Sequence, residues 1–163
     1  MMSKLASVLA VLRILAGSAF IFSGVTKLLD DSFLYGGLMH RIYELGTPFP
    51  IYQKFLLRFV ELHQTAFAAA SAAGEITVGL SLVLGLLVSW GTLGGIFLVA
   101  NFALATCAGS PARLAIHGGV ALLLLLLGRM GAGLKWGLDG WLIRHVKDWL
   151  VLFPLRLQAP SME

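Results

Sequence analysis

Apolar residues fall in four long runs, at about 5–28, 64–87, 91–108 and 113–129, each bounded by charge, proline or glycine. A helix rises 1.5 Å per residue, so ~20 apolar residues cross the ~30 Å hydrocarbon core of a bilayer. The pattern predicts an all-α, membrane-embedded four-helix bundle in a single domain spanning 1–163. Arg13 interrupts the first run, which argues for a retained span rather than a signal peptide.

Between the first two spans the period changes. Asp30-Asp31-Ser32 ends the first span and offers a cap for a short helix over 33–45, and Gly46-Thr47-Pro48-Phe49-Pro50 breaks the chain. From 51 to 62, Tyr52, Phe55, Leu56, Phe59 and Val60 occupy one side of a helix and Lys54, Arg58 and Glu61 the other. This amphipathic segment is expected to lie along the membrane surface, or to pack on the bundle, before running into the second span, with Lys54, Arg58 and Glu61 as a partner-docking face. His40 and His63 read as surface residues of the same loop. A second amphipathic helix is expected over 138–150, capped by Asp139 and anchored at headgroup level by Trp136, Trp141 and Trp149. Pro154 and Pro160 mark a frayed tail.

Composition sharpens this picture. With 58% hydrophobic and 12% charged residues, the chain has too little polar surface for a small soluble domain. The net charge of +4 is scattered rather than gathered on one face, so nucleic acid is not an expected partner and the lipid bilayer is. Lys4, Arg129, Lys135, Arg144, Lys147 and Arg156 fall on the side of the termini, against Lys27, Arg41, Lys54, Arg58 and Arg113 opposite. That slight excess favours cytoplasmic termini. Cys107 is the single cysteine, which excludes an internal disulfide and a CxxC pair. No metal site is expected, since His, Cys and carboxylates lack ligand spacing. Haem would need axial ligands for which only His117 has the depth, and no phosphate loop or dinucleotide fingerprint occurs.

Polar residues inside the spans carry the chemistry. Glu75 lies near the middle of the second span, where a charge costs roughly 2.5–3.5 kcal/mol on insertion scales. Arg13, Gly17, Phe20, Gly24 and Lys27 or Leu28 share one face of the first span, joining a buried cation to glycines that admit a close neighbour. Gly91 and Gly95 form a similar small-residue pair in the third. Arg13, Glu75, Asn101 and His117 come from four different spans and each needs an inward partner. The expectation is that Glu75 meets Arg13, with Asn101 and His117 nearby. Such a cluster could bind a quinone head or another small molecule, or pass a proton. It could equally be a buried salt bridge fixing helix register, with Asn101 as interhelical glue.

Four pieces in order resemble the DoxX family of small four-span prokaryotic membrane proteins. They are Arg13 with Phe20-Ile21-Phe22-Ser23-Gly24-Val25-Thr26-Lys27-Leu28; Pro48-Phe49-Pro50-Ile51-Tyr52 leading through His63 to Gly74-Glu75 and Gly79-Leu80-Ser81-Leu82-Val83-Leu84-Gly85; Asn101; and Gly131-Ala132-Gly133 with Gly137-Leu138-Asp139. MauE-like proteins share the first-span pattern. The resemblance implies a multi-pass protein of the plasma membrane tied to respiratory or redox chemistry, as some relatives are subunits of a thiosulfate:quinone oxidoreductase and others are linked to oxidative-stress complexes. The chain itself shows no redox cofactor motif, so with the resemblance the expectation is that it could take a quinone as substrate, work with a redox partner protein, and be at most one subunit of an oxidoreductase. A scaffold or assembly factor, and a permease acting as a homo-oligomer, are the competing readings.

Overall fold

The computed structural model describes residues 2–108, 110–146 and 149–155, which hold helices and turns and no strand. Four helices are long and apolar enough to cross a membrane. The first, α1 (Met2–Leu29), ends where the Asp30 carboxylate accepts the N–H groups of Ser32 and Phe33. A π-type turn, Phe33–Gly37, kinked at Gly36 (φ +149°), leads into α2 (Leu38–Leu45). The sequence break then holds, and α3 (Pro50–Phe55) opens on Pro50 in its first turn, where a missing N–H costs nothing.

No loop separates α3 from the next span. The chain passes through a π turn (Leu56–Val60) and a 3₁₀ turn (Glu61–His63) into α4 (Gln64–Leu84). Of the two placements expected for this segment, the structure has it packed on the bundle, as the bent forward end of the second span. Leu56 and Val60 are buried in one cluster with Phe33, Leu38, Met39, Ile42, Ala68 and Ala105, which plugs this end of the bundle.

Gly85 takes the left-handed conformation (φ +65°) and ends α4 in a Schellman motif, with Leu86 N–H on the Ser81 carbonyl and Gly85 N–H on that of Leu82. Leu87, also left-handed (φ +51°), turns the chain into α5 (Val88–Thr106). Ser110 caps α6 (Pro111–Arg129) by accepting the Arg113 N–H. Consecutive spans run antiparallel, and α1 packs antiparallel along α4: Gly17 lies against Gly79 and Gly24 against Ala72. A Cβ on Gly17 would come within 2.8 Å of the Gly79 carbonyl oxygen, so glycine is what allows this approach. Ser81 fills the space beside Gly91, and Val78 and Leu124 close on Gly95.

The outer surface is apolar, with Leu15, Phe22, Ile116 and Leu122 each more than half exposed, while Arg13, Glu75, Ser89, Thr92 and Asp139 are buried. That inversion of the soluble pattern is stable only in lipid.

The C-terminal region departs from expectation. Instead of one helix over 138–150, Asp139–Leu142 forms a single turn, α7, and Trp149–Leu152 another, α8. Lys147 and Asp148 lie outside the described residues, as does the tail from Arg156. Asp139 does not cap its own helix. It is buried and its carboxylate accepts the Leu87 N–H at 2.6 Å and the Val88 N–H at 3.0 Å, capping α5. Two backbone bonds, Leu138 N–H to Leu84 O and Asp139 N–H to Gly85 O, draw this strap over the bundle end. Just before the expected tail, Leu152 and Phe153 are buried, and Trp90 donates its indole N–H to the Val151 carbonyl at 2.7 Å. Trp136 and Trp141 are exposed, as headgroup anchors should be.

Candidate functional site

A cavity of about 730 Å³ opens between α1, the first-loop helices, α4, α5 and α6. Glu75 of α4 and Lys27 of α1 form an ion pair in its wall, with 6% and 17% of their side chains exposed. The Lys27 ammonium also stands 4.4 Å from the centre of the Phe102 ring and 5.8 Å from that of Phe33. A cation so placed gains ring-face attraction in a site from which water is largely excluded.

Glu75 therefore meets Lys27 and not Arg13. The register explains it. With Gly17 against Gly79 on antiparallel helices, residue 21 falls opposite Glu75, and Lys27 reaches back to it. Arg13 falls opposite residue 83, eight residues or ~12 Å along the helix from Glu75. Its guanidinium threads instead between Gly85 and Gly137, donates from Nη2 to the Trp136 carbonyl at 3.0 Å, and feels the Asp139 carboxylate. Arg13 is fully buried at the far end of the bundle, about 21 Å from Lys27 along α1.

Asn101 and His117 both line the cavity with Glu75. Asn101 accepts a hydrogen bond from the Tyr52 hydroxyl at 3.1 Å and donates to the Phe97 carbonyl at 2.7 Å, which ties α3 to α5 across the opening. His117 Nδ1 lies 2.8 Å from the Arg113 carbonyl, which can only accept, so Nδ1 carries the proton. Cys107 Sγ sits 3.7 Å from the same nitrogen. With Nδ1 held there, Nε2 is the ring nitrogen left to hydrogen-bond a ligand. Arg41 and Arg113 add two cations to the lining, Arg113 donating to the Thr106 carbonyl at 2.9 Å and Arg41 standing 5.6 Å from the Phe33 ring centre.

Lys54, Arg58 and Glu61 lie outside the cavity on an exposed face, as do His40 and His63. Glu61 accepts the Tyr43 hydroxyl at 2.7 Å, and this bond pushes the Tyr43 hydroxyl pKa up. Among the described residues no three of His, Cys, Asp and Glu gather around a point where a metal ion could sit.

The DoxX family model matches residues 8–109, well over half of the chain. The chain belongs to the DoxX family. No curated protein and no solved structure matches it. The matched stretch of this DoxX protein carries Arg13, Lys27, Glu75 and Asn101, whereas His117 and Asp139 lie beyond it.

Sequence reading missed several residues that the DoxX fold brings into use. Lys27 was on the correct face of α1, one turn beyond Gly24, and the glycine register would have picked it over Arg13. Tyr52, Arg41 and Arg113 carry no intramembrane signal, because they come from segments that read as loop or span end. Ser71 of α4 lines the cavity one turn before Glu75, in a stretch of alanines that drew no notice.

Proposed function

We propose that this protein is the membrane subunit of a quinone-linked redox system, binding a quinone-type head in the cavity beside Lys27 and Glu75. The largely buried ion pair in the wall of a mostly apolar cavity of about 730 Å³ carries the reading. Small-molecule sites are typically cavities of ~300–1,000 Å³ with apolar walls and a few convergent polar groups. Phe67, Phe97 and Phe102 supply ring-sized apolar surface, while Lys27, Glu75 and His117 supply donors and acceptors for ring oxygens. Reduction of a quinone takes two electrons and two protons. The electrons would come from a redox centre in a partner protein, and the carboxylate and imidazole are suited to handling the protons.

The exposed Lys54, Arg58 and Glu61 face is the proposed docking surface for that partner. The termini are proposed to face the cytoplasm of a prokaryotic cell, which places the cavity toward the opposite face of the plasma membrane.

Native mass spectrometry of the protein in mild detergent, wild type against Glu75→Gln, tests the reading. A quinone-mass adduct that is lost in the variant supports it. A partner protein retained in both forms, with no adduct in either, would make the chain a scaffold and Lys27–Glu75 a structural fastener.

A further inference from the structure

Glu75 uses only one of its two carboxylate oxygens. Oε1 faces the Lys27 ammonium, whereas Oε2 is buried and has no hydrogen-bond partner among the described residues. One helical turn earlier, the Ser71 hydroxyl is likewise buried and unpartnered, not even bonding back to its own helix as membrane serines commonly do. Both residues line the cavity. Burying such groups without partners is costly, and two on adjacent turns of one helix mark a place built for another polar group. The other polar groups in the lining are differently placed. Tyr52 and Asn101 satisfy each other, Lys27 is paired with Glu75 Oε1, Arg113 donates to the Thr106 carbonyl, Arg41 stands over the Phe33 ring, and His117 Nδ1 is held by the Arg113 carbonyl.

The group still needed is a donor. An ionised carboxylate offers only acceptor positions, and a quinone carbonyl cannot donate. A ring hydroxyl can, and it can accept from Ser71 at the same time. The terminal torsion of a glutamate is soft, so Oε2 turns toward such a hydroxyl at little cost. We propose that the cavity selects the reduced, hydroxyl-bearing state of its ligand, an apolar hydroquinone whose hydroxyl donates to Glu75 Oε2 and accepts from Ser71 Oγ. This rests on the reading of the cavity as a quinone site and adds to it a preference between redox states.

The test is equilibrium binding to the full-length protein in lipid nanodiscs under anaerobic conditions. Three probes share one decyl tail: decylubiquinol, decylubiquinone and the dimethyl ether of the reduced compound. The quinol should bind at least tenfold more tightly than either of the others. Ser71→Ala should weaken quinol binding about fivefold, roughly one hydrogen bond's worth, while leaving thermal stability without ligand unchanged or raised. Glu75→Gln, which removes the anionic acceptor, should weaken quinol binding about tenfold or more. If quinone or ether binds as tightly as quinol, the redox preference is wrong and the quinone site stands. If no probe binds, the quinone site itself falls and the preference with it.

Discussion

Glu75 shows how one buried charge organises its neighbours. A carboxylate at mid-span is tolerable because Lys27 meets it and Phe102 shields the pair. Removing one partner of a buried pair leaves the other uncompensated, which costs about 3–5 kcal/mol, whereas replacing both with apolar residues is often neutral. Glu75→Leu should therefore destabilise the protein by about that amount in detergent unfolding, and Lys27→Met combined with Glu75→Leu should recover most of it. Arg13→Met combined with Glu75→Leu should give no such recovery; if it did, the assignment of Lys27 would be wrong. Asp139 makes a second residue-level case. Burial pushes its carboxyl above the ordinary 3.8, and the Val88 and Leu87 N–H groups and Arg13 pull it only partly back. The folded state then holds this proton more tightly than the unfolded chain, so its contribution is greatest in acid and declines as pH rises through the raised pKa. The stability of wild type relative to Asp139→Asn should accordingly fall as pH rises from about 4 through the raised pKa. A difference that grows toward neutral pH would mean that capping by the charged form outweighs burial.

At the scale of elements, glycines decide which helices touch and in what register. A Cβ on Gly79 would stand 2.7 Å from the Gly17 carbonyl oxygen, while one on Gly119 of α6 meets nothing within 4 Å. Gly79→Ala should cost about 1–3 kcal/mol through overpacking. Gly119→Ala should instead be neutral or stabilising by up to about 1 kcal/mol, since alanine loses less backbone freedom in a helix. Equal effects in a thermal unfolding assay would contradict the close packing of α1 on α4. The boundaries at Asp30, Pro50 and Pro111 were legible in advance because these residues act locally, whereas the turn between α4 and α5 falls at Gly85–Leu87 and not at the expected 88–90, because the left-handed Gly85 stops α4 three residues early. Nor was the 138–150 region legible. Its amphipathic pattern is genuine, but Asp139 gains more as the cap of α5, and that competition is invisible along the chain.

On the scale of the whole molecule, the bundle has two unlike ends. One is closed by the 131–146 strap with Arg13 and Asp139 beneath it, and the other holds the cavity under the first-loop helices. The proposed orientation, argued from charge, has the strap and both termini facing the cytoplasm. In a Cys107→Ala background, Lys4→Cys and His145→Cys should react with an impermeant maleimide only from the cytoplasmic side, and His40→Cys only from the other. Reversed labelling would invert the topology and move the cavity to the cytoplasmic half.

Four spans, their approximate ends, the inward need of Glu75, Asn101 and His117, and the family could all be read from the chain, because each follows from local hydropathy, capping residues or ordered motifs. Which cation meets Glu75 could not. That depends on the register of two helices separated by more than thirty residues of loop and turn, and register is set by backbone contact between glycines whose partners the chain does not name. The same holds for Ser71, Tyr52 and Asp139. Each is ordinary in its own segment, and each acquires its task only when a distant element arrives with a group to receive, leave unmet or cap.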